Sequence, residues 1–428
     1  MKIYYIQAML GLILFSCPLQ IKAQNQYGLE DCKRIAIENN RKLKNSQLEI
    51  KASQQLKKEA FTNYFPSVSA SGTGILPKDP LVAMNLAGMS LGLLDKGFQT
   101  GITVTQPVFA GGKIVTGNKL ADLGTEVSRF QAKLSENEVL LNTERLYWQL
   151  LSLHEKEHTL DIIDTQLDTL LKDVELSYKT GLITHNDVLK VKLKKNEVKS
   201  MRINLENGIK LVKMSLCQQM GIDLAEAERF DIAIPDIDHV ESPVNYYVDH
   251  KTALPDRAES KLLGKNIEAS KLQTKMKRGD YLPTVAIGAS YYGENVVDKW
   301  RDNSIVFASV SIPLSGWWGG AHAIKRQKIE EQIALNNKID TEEQLLLQMQ
   351  NVKNELDNAY KQILLAKDGV EQSTENLRLN NNYYKVGTVT LTDVLDAQTL
   401  LQQYRDKYVE SYADYQKKRI EYLQVTGR

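Results

Sequence analysis

His154-Glu155-Lys156-Glu157-His158 is the one stretch whose residue types and spacing match a hydrolytic metal site. On a helix, histidines four apart share a face and can hold zinc, with the intervening Glu155 as general base toward a metal-bound water. The surroundings do not suit that chemistry. The two middle positions are Lys156 and Glu157, the helix is very long and highly charged, and no pocket-forming segment lies nearby in sequence. The stretch reads as a solvated helix face, and no catalytic residue, metal or cofactor is assigned. A second candidate is the tyrosine stripe Tyr404, Tyr408, Tyr412 and Tyr415, which could stack a planar substrate. At these spacings, packing between helices is the better reading. Of the three cysteines, Cys17 falls in a leader-like stretch, so Cys32 and Cys217 remain, too few for a disulfide framework.

Two other stretches carry polar side chains in a repeated pattern. Tyr178-Lys179-Thr180-Gly181-Leu182-Ile183-Thr184-His185-Asn186-Asp187-Val188-Leu189 recurs as Tyr384-Lys385-Val386-Gly387-Thr388-Val389-Thr390-Leu391-Thr392-Asp393-Val394-Leu395. The two are separated by nearly half the chain, which marks an internal duplication. Each copy reads as a hairpin tip between helices. The lysine suits the negative end of the incoming helix. Gly181 and Gly387 are placed to adopt the left-handed conformation that ends a helix. Thr184, Asp187, Thr390 and Asp393 offer acceptors to the free amides of the outgoing helix.

The chain has 428 residues, 42% apolar and 25% charged, with 54 basic against 53 acidic side chains. That balance argues against a nucleic-acid partner, which calls for a basic excess, and fits long helices with mixed-sign solvent faces. Met1 to Ala23 reads as a secretory signal: Lys2, then an apolar run from Met9 to Phe15, then Ile21-Lys22-Ala23 before the cut. Leu14-Phe15-Ser16-Cys17 is a weaker lipoprotein alternative. No other stretch reaches the ~18 apolar residues of a membrane helix.

The elements that must carry the tips can be read in order. Tyr27 to Asn63 reads as one helix. Tyr64-Phe65-Pro66 opens a strand, Ile75 to Gly97 reads as a loop, and Phe98 to Phe109 alternates as a second strand. Gly111-Gly112 precedes a helix reaching Lys179, on the order of 100 Å at 1.5 Å rise. Leu120, Val127, Leu134 and Leu141, then Leu153, Leu160, Leu167 and Val174 in a shifted frame, recur in sevens, the mark of coiled-coil packing. A return helix runs to Met220, and the proline- and aspartate-containing stretch 221–255 links the halves. The second half repeats the plan: a helix from Asp256, a strand opening at Tyr281-Leu282-Pro283-Thr284-Val285, a second strand at Val306 to Ile312, then a long helix starting at Gly319-Gly320. Met349, Leu356, Ile363, Val370, Leu377 and Tyr384 hold one heptad position, and Val394, Leu401, Tyr408, Tyr415 and Tyr422 continue it after the second tip. The organisation expected is a signal over 1–23, a first repeat over 24–220, a linker over 221–255 and a second repeat over 256–428.

Four strands of about ten residues can cross an outer membrane when tilted, and their alternation offers one face to lipid and one to water. Four strands cannot close a barrel, and an open edge in lipid leaves backbone groups unpaired at several kcal/mol each. Strands placed in a membrane therefore require several chains. Three chains supply twelve strands around a wet lumen, and the long helices continue the tube.

With these features in register, the chain from Tyr27 to Tyr422 resembles the TolC-like family of outer-membrane efflux proteins. The resemblance rests on the duplicated tips, the paired Tyr-x-Pro-x-Val strand openings, and Gln106-Pro107-Val108-Phe109-Ala110-Gly111-Gly112. It implies a mainly α fold with membrane β: a long antiparallel coiled-coil α-barrel, plus four strands per chain in a trimeric twelve-stranded β-barrel. It implies a passive, non-enzymatic export duct in a tripartite efflux or type I secretion system, in the outer membrane and extending into the periplasm. The partners it implies are a periplasmic adaptor (membrane fusion) protein, an inner-membrane RND or ABC pump and outer-membrane lipid. By the same resemblance, Gly181-Leu182 and Gly387-Thr388 would meet the adaptor. Asp393 and Asp396 would line the periplasmic constriction, with Lys190 in the first copy where the second has Asp396. Val389 stands where some members carry an arginine that latches the closed state. The competing readings are an exported coiled-coil scaffold or adhesin without a pore, and the zinc hydrolase.

Overall fold

The computed structural model describes residues 25–78, 83–86, 89–92, 97–295 and 299–428. The leader expected at Met1 to Ala23, with Cys17, lies outside them. In chain order the elements are β1 (Asn25–Tyr27), α1 (Leu29–Asn39), α2 (Arg41–Thr62), β2 (Ser67–Ile75), β3 (Ala83–Leu86), β4 (Met89–Gly92), β5 (Gly97–Ala110), α3 (Lys113–Lys179) and α4 (His185–Met220). There follow β6 (Phe230–Ile232), α5 (His250–Ala253), α6 (Ala258–Gly279), β7 (Thr284–Asn295), β8 (Arg301–Ser311), α7 (Gly316–Lys385) and α8 (Leu391–Val425). The two long helices of 67 and 70 residues and their 36- and 35-residue returns match between the halves. No described helix is long and apolar enough to cross a membrane.

Four details depart from the sequence reading. The helix expected over Tyr27 to Asn63 is broken at Asn40, whose backbone is extended. The cause is a close approach: Asn40 Nδ2 donates to the Gln219 carbonyl at 2.6 Å. A β-carbon on Gly221, which ends α4 at φ 72°, would lie 2.4 Å from the Asn39 carbonyl oxygen. Second, the stretch read as a loop from Ile75 to Gly97 holds β3 and β4, an antiparallel pair. Third, α7 begins at Gly316, so Gly319-Gly320 lie inside its first turns. Gly320 is small because the Tyr281 ring lies where a β-carbon would be, at 2.9 Å. Fourth, Leu120, Val127, Leu134 and Leu141 are half-buried, and Ala121, Leu123 and Val139 fill the interior instead.

By compactness the chain forms two units. One takes in the described residues up to Asn40, with Val139–Pro243 and Leu356–Ile420; the other takes in Arg41–Glu138, Val244–Glu355 and Glu421–Arg428. In the first, β1 and β6 pair in parallel, and α1 packs on α4 with Cys32 and Cys217 fully buried. Burial pushes these thiols up to about 12 and about 11 respectively, so they are unreactive as thiolates. Leu160, Leu167 and Val174 of α3 pack with Val191 and Val198 of α4 and with Leu391 and Leu395 of α8. This is the heptad seam of the sequence.

The second unit holds an antiparallel sheet in the order β2-β5-β7-β8. Its central pair, β5 with β7, joins the two halves of the sequence. The register slips between Pro107 and Phe109, leaving Val108 outside the ladder. Proline cannot donate to a ladder, and a bulge there re-aims the chain.

Gly221→Ala meets both a backbone clash and a left-handed φ, and is expected to cost about 3 kcal/mol or more. Gly181→Ala, at φ 76° with no atom within 4 Å of the added carbon, is expected to cost about 1–2 kcal/mol. Thermal unfolding of the two variants in detergent checks the order.

Candidate functional site: paired hairpin tips and a two-faced sheet

Each tip is built by a helix that must stop and another that must start. Gly181 and Gly387 adopt φ 76° and 78°. Open space surrounds the position of a β-carbon at both, so the glycines serve backbone conformation here and not close approach. Leu182 and Thr388 then close the turns, donating their amides to the carbonyls of Ser177 and Tyr383 at 2.9 and 3.0 Å. The outgoing helices are capped alike. The Thr184 amide and hydroxyl donate to Asp187 Oδ2 at 3.3 and 2.9 Å, and those of Thr390 donate to Asp393 Oδ2 at 2.8 and 2.7 Å. The Thr390 hydroxyl and amide hold the Asp393 carboxyl below its usual range. Asp396, one turn on, is exposed.

The two tips enclose a groove of about 1210 Å³. Leu182, Ile183, Tyr384, Val386, Val389 and Val394 form the apolar part of its lining, beside Asp173, Asp187, Lys190 and Lys385. Leu182 and Val386 are 79% and 71% exposed. Sequence reasoning named Leu182 and overlooked Val386. The aligned repeats contain the signal, since Thr180-Gly181-Leu182 faces Val386-Gly387-Thr388, with apolar and hydroxyl residues exchanged across the glycine. Tyr384 closes the heptad position that begins at Met349. It packs against both hydrophobic clusters at this end, and burial, then Asp187 and Asp173, raise its hydroxyl pKa. Its counterpart Tyr178 instead packs on His185, ring to ring at 5.3 Å. Lys190 reaches across the groove to Thr392 Oγ1 at 3.1 Å and lies 3.6 Å from Asp187 Oδ1.

The sheet has two chemically distinct faces. Residues directly opposite on paired strands share a face. Val68, Val104, Ala289 and Val306 form one such row, and Ala70, Ile102 and Tyr291 the next. Val68, Ile102 and Val306 are 67%, 53% and 86% exposed. Gln106, on the same face, is satisfied by the Tyr64 and Pro107 carbonyls at 3.1 and 3.0 Å. Exposed Phe98, Tyr291 and Trp300 lie toward one end of the strands, and exposed Phe109, Trp317 and Trp318 toward the other. The 11 residues of β8 span about 36 Å at ~3.3 Å rise, roughly 28 Å when tilted ~40°, close to the ~25 Å apolar band of membrane barrels.

The remaining candidates are committed elsewhere. His154 Nε2 lies 3.0 Å from Asp231 Oδ1, and its Nδ1 lies 3.3 Å from Glu157 Oε2. Asp231 also faces Lys213 Nζ at 3.3 Å. No group of three metal-ligating side chains occurs among the described residues. Tyrosine hydroxyls hold the linker. Tyr147 donates to the Ala233 carbonyl at 2.6 Å, Tyr408 to Ile237 at 2.8 Å and Tyr415 to Glu241 at 2.6 Å. Tyr412 packs edge-on against Trp148. Tyr404 lies over Gly369, where a β-carbon would meet the ring at 2.2 Å.

Because the folded Asp393 pKa is depressed, the cap's contribution is present above the ordinary carboxylate range and is lost as pH falls through the lowered value. Hydrogen exchange at the Thr390 amide, which donates to Asp393 Oδ2, is expected to stay protected down to about pH 4. Asp393→Asn is expected to exchange faster than wild type at every pH above that.

Residues 264–428 match the outer membrane efflux protein family. No curated protein matches the chain at a comparable level. Among solved structures, the CmeC outer membrane channel of Campylobacter jejuni aligns with a TM-score of 0.80 at 13% identity, over 93% of this chain and 85% of that one. The outer membrane protein VceC of Vibrio cholerae aligns at 0.77 and 16% identity, over 93% and 96%. The open MtrE outer membrane channel of Neisseria gonorrhoeae aligns at 0.74 and 13%, over 93% and 88%. Residues 264–428 thus match the model of the outer membrane efflux protein family, and along 93% of its length the chain has the fold of these outer membrane channels.

Proposed function

We propose that this protein is the outer-membrane channel of a tripartite efflux or type I secretion system, a passive duct crossing the outer membrane and entering the periplasm. The observation that supports this most is the sheet. It exposes an apolar face of membrane height, and among the described residues β2 and β8 each pair on one side only. Three copies would join those edges into twelve strands with no unpaired ladder groups. The repeats over 24–220 and 256–428, joined through 221–255, would each give two strands and one hairpin.

In this reading the groove around Gly181, Leu182, Gly387 and Thr388 receives a periplasmic adaptor, itself bound to an inner-membrane RND or ABC pump. Asp396, with Asp393, rings the periplasmic end. Like charges so close repel one another and attract cations. The first tip carries Lys190 at the equivalent place, so the ring comes from the second tip alone. With Val389 in place of an arginine, the closed state is held by other contacts. Catalysis is no part of the reading, because energy comes from the pump.

Purified protein is expected to run as a heat-dissociable oligomer and to conduct in planar bilayers. A detergent-independent, non-conducting monomer would overturn the reading. Gly387→Pro, which cannot hold φ 78°, is expected to abolish efflux while the oligomer still forms. Asp393→Ala with Asp396→Ala is expected to weaken single-channel block by trivalent cations by about tenfold or more.

A further inference from the structure

Three of the helices that lead into or out of the sheet are basic where they reach it. α2 ends with Lys57 and Lys58 in its last two turns, α3 begins with Lys113 and soon carries Lys119, and α6 ends with Lys275, Lys277 and Arg278. Against these seven cations the same stretches hold Glu59 and, just past α6, Asp280. The whole chain has a formal net charge of +1, so the band concentrates a positive excess that the rest of the chain offsets. Some of these cations are paired within the protein. Lys57 Nζ lies 2.6 Å from Asp122 Oδ1, and Asp280 is shared by Lys113 and Lys277 at 3.4 and 3.1 Å. Lys58, Lys275 and Arg278 are exposed. Lys58 stands six residues before Tyr64, and Lys275 six before Tyr281. The duplication therefore sets one exposed lysine at the same point of each half. The next level toward the sheet is aromatic. Phe61, one turn beyond Lys58, packs edge-on against Phe65 at 5.6 Å, and both rings are exposed. Lys277 lies over the Tyr281 ring at 5.8 Å, and the Tyr281 carbonyl accepts from Trp317 Nε1 at 2.9 Å. Leu314 and Trp318 beside them are exposed.

We propose that this basic collar binds the head groups of anionic phospholipid, of which phosphatidylglycerol is the simplest, in the leaflet that faces the helices. This rests on the membrane-duct reading above. Position selects lipid over a free anion. The cations adjoin exposed aromatic rings at the end of an apolar face of membrane height, so the ligand that meets both carries a phosphate and acyl chains together. Six residues of helix span about 9 Å, a distance that a lysine reduces by extending its charge back toward the head groups while its stem lies along apolar surface. The cations are also spread over three helices, which suits a layer of head groups more than one enclosed ion. In a trimer Lys58 and Lys275 recur around the barrel, and their attachment fixes the depth at which the strand ends meet the lipid.

Lipid retention by the full chain in detergent, read by native mass spectrometry, tests this. The protein is exchanged against an equal mixture of phosphatidylglycerol and phosphatidylethanolamine with matched acyl chains. The wild type is expected to retain phosphatidylglycerol in preference by about tenfold or more, and the preference is expected to fall as salt is raised. Lys58→Gln with Lys275→Gln is expected to cut that preference by about fivefold or more. Lys58→Arg with Lys275→Arg is expected to keep it. So is Lys361→Gln with Lys367→Gln, which removes the same charge from exposed positions far along α7. The heat-dissociable oligomer and its conductance are expected to survive in every variant, so that a loss of lipid is not a loss of fold. No preference in the wild type, or one that the glutamine pair at 58 and 275 leaves unchanged, overturns the proposal. Displacement of the lipid by millimolar inorganic phosphate also overturns it, since that marks a free-anion site. If the chain retains neither lipid and stays monodisperse without detergent, the duct reading itself fails.

Discussion

The backbone hydrogen bond at a strand edge is the constraint on which the rest of this structure depends. Every residue of β2 and β8 except proline carries one donor and one acceptor, and half of these point away from the paired neighbour. In water they would be solvated. Beside an apolar face as exposed as that of Val68, Ile102 and Val306, they would sit in lipid, at several kcal/mol apiece. An edge of nine or eleven residues would then cost more than the 5–15 kcal/mol that holds a typical domain together. Proteins that keep edges open in water guard them with charge, proline or bulges. β2, Ser67 to Ile75, has none of these. Its edge is shaped to be joined, and the twofold character of the sequence supplies half of the joining: β5 of one repeat pairs with β7 of the other within a single chain.

The helices answer a related constraint at their ends, where four carbonyls or four amides lack partners. Both tips solve it with the same parts: a left-handed glycine, a turn closed by the next amide, and a threonine-aspartate pair that starts the return helix. The linker is solved differently. It has little regular structure, so its carbonyls need outside donors, and tyrosines of the helices provide them. Tyr408 and Tyr415 are seven apart, two turns on one face of α8, and reach Ile237 and Glu241. Tyrosine suits this task because its ring fills space between helices while its hydroxyl satisfies a buried carbonyl.

This division explains what could be read from the sequence. Period-seven and period-two patterns are local, and they located α3, α4, α7, α8 and the four long strands, though β8 begins at Arg301, ahead of the alternation read from Val306. The repeated tip motif made the caps legible, because glycine conformation and threonine-aspartate spacing are decided within a few residues. What escaped depends on distant residues. The break at Asn40 follows from Gly221 and Gln219 approaching it, and nothing between Tyr27 and Asn63 marks it. Gly319-Gly320 looked like a helix start because glycine usually punctuates; its role is set by Tyr281, well upstream. The tyrosine stripe packs between helices, as its spacing indicates, but the hydroxyl partners in the linker have no sequence signature. The shifted heptad frame along Leu120 to Leu141 shows the same limit, since the neighbours of that face decide which residues are buried.

The two tips share one motif but differ in the charges they carry at equivalent positions. Lys190 and Asp396 occupy the same place in the two repeats, and Lys190 Nζ extends to Thr392 of the other tip while lying near Asp187. An aspartate at 190 would set another carboxylate beside Asp187 with no cation to offset it, at a cost that rises as water is excluded. A lysine at 396 would remove the exposed negative charge from the tip that carries Asp393. Opposite signs at equivalent positions therefore let one tip hold the other through a cation while leaving the second tip's carboxylates exposed. The exchange of Leu182 for Thr388, and of Thr180 for Val386, follows the same logic in apolar terms. The groove presents one exposed aliphatic side chain from each tip. A single helix pair could not build such a groove, and two identical tips could not make it asymmetric in charge.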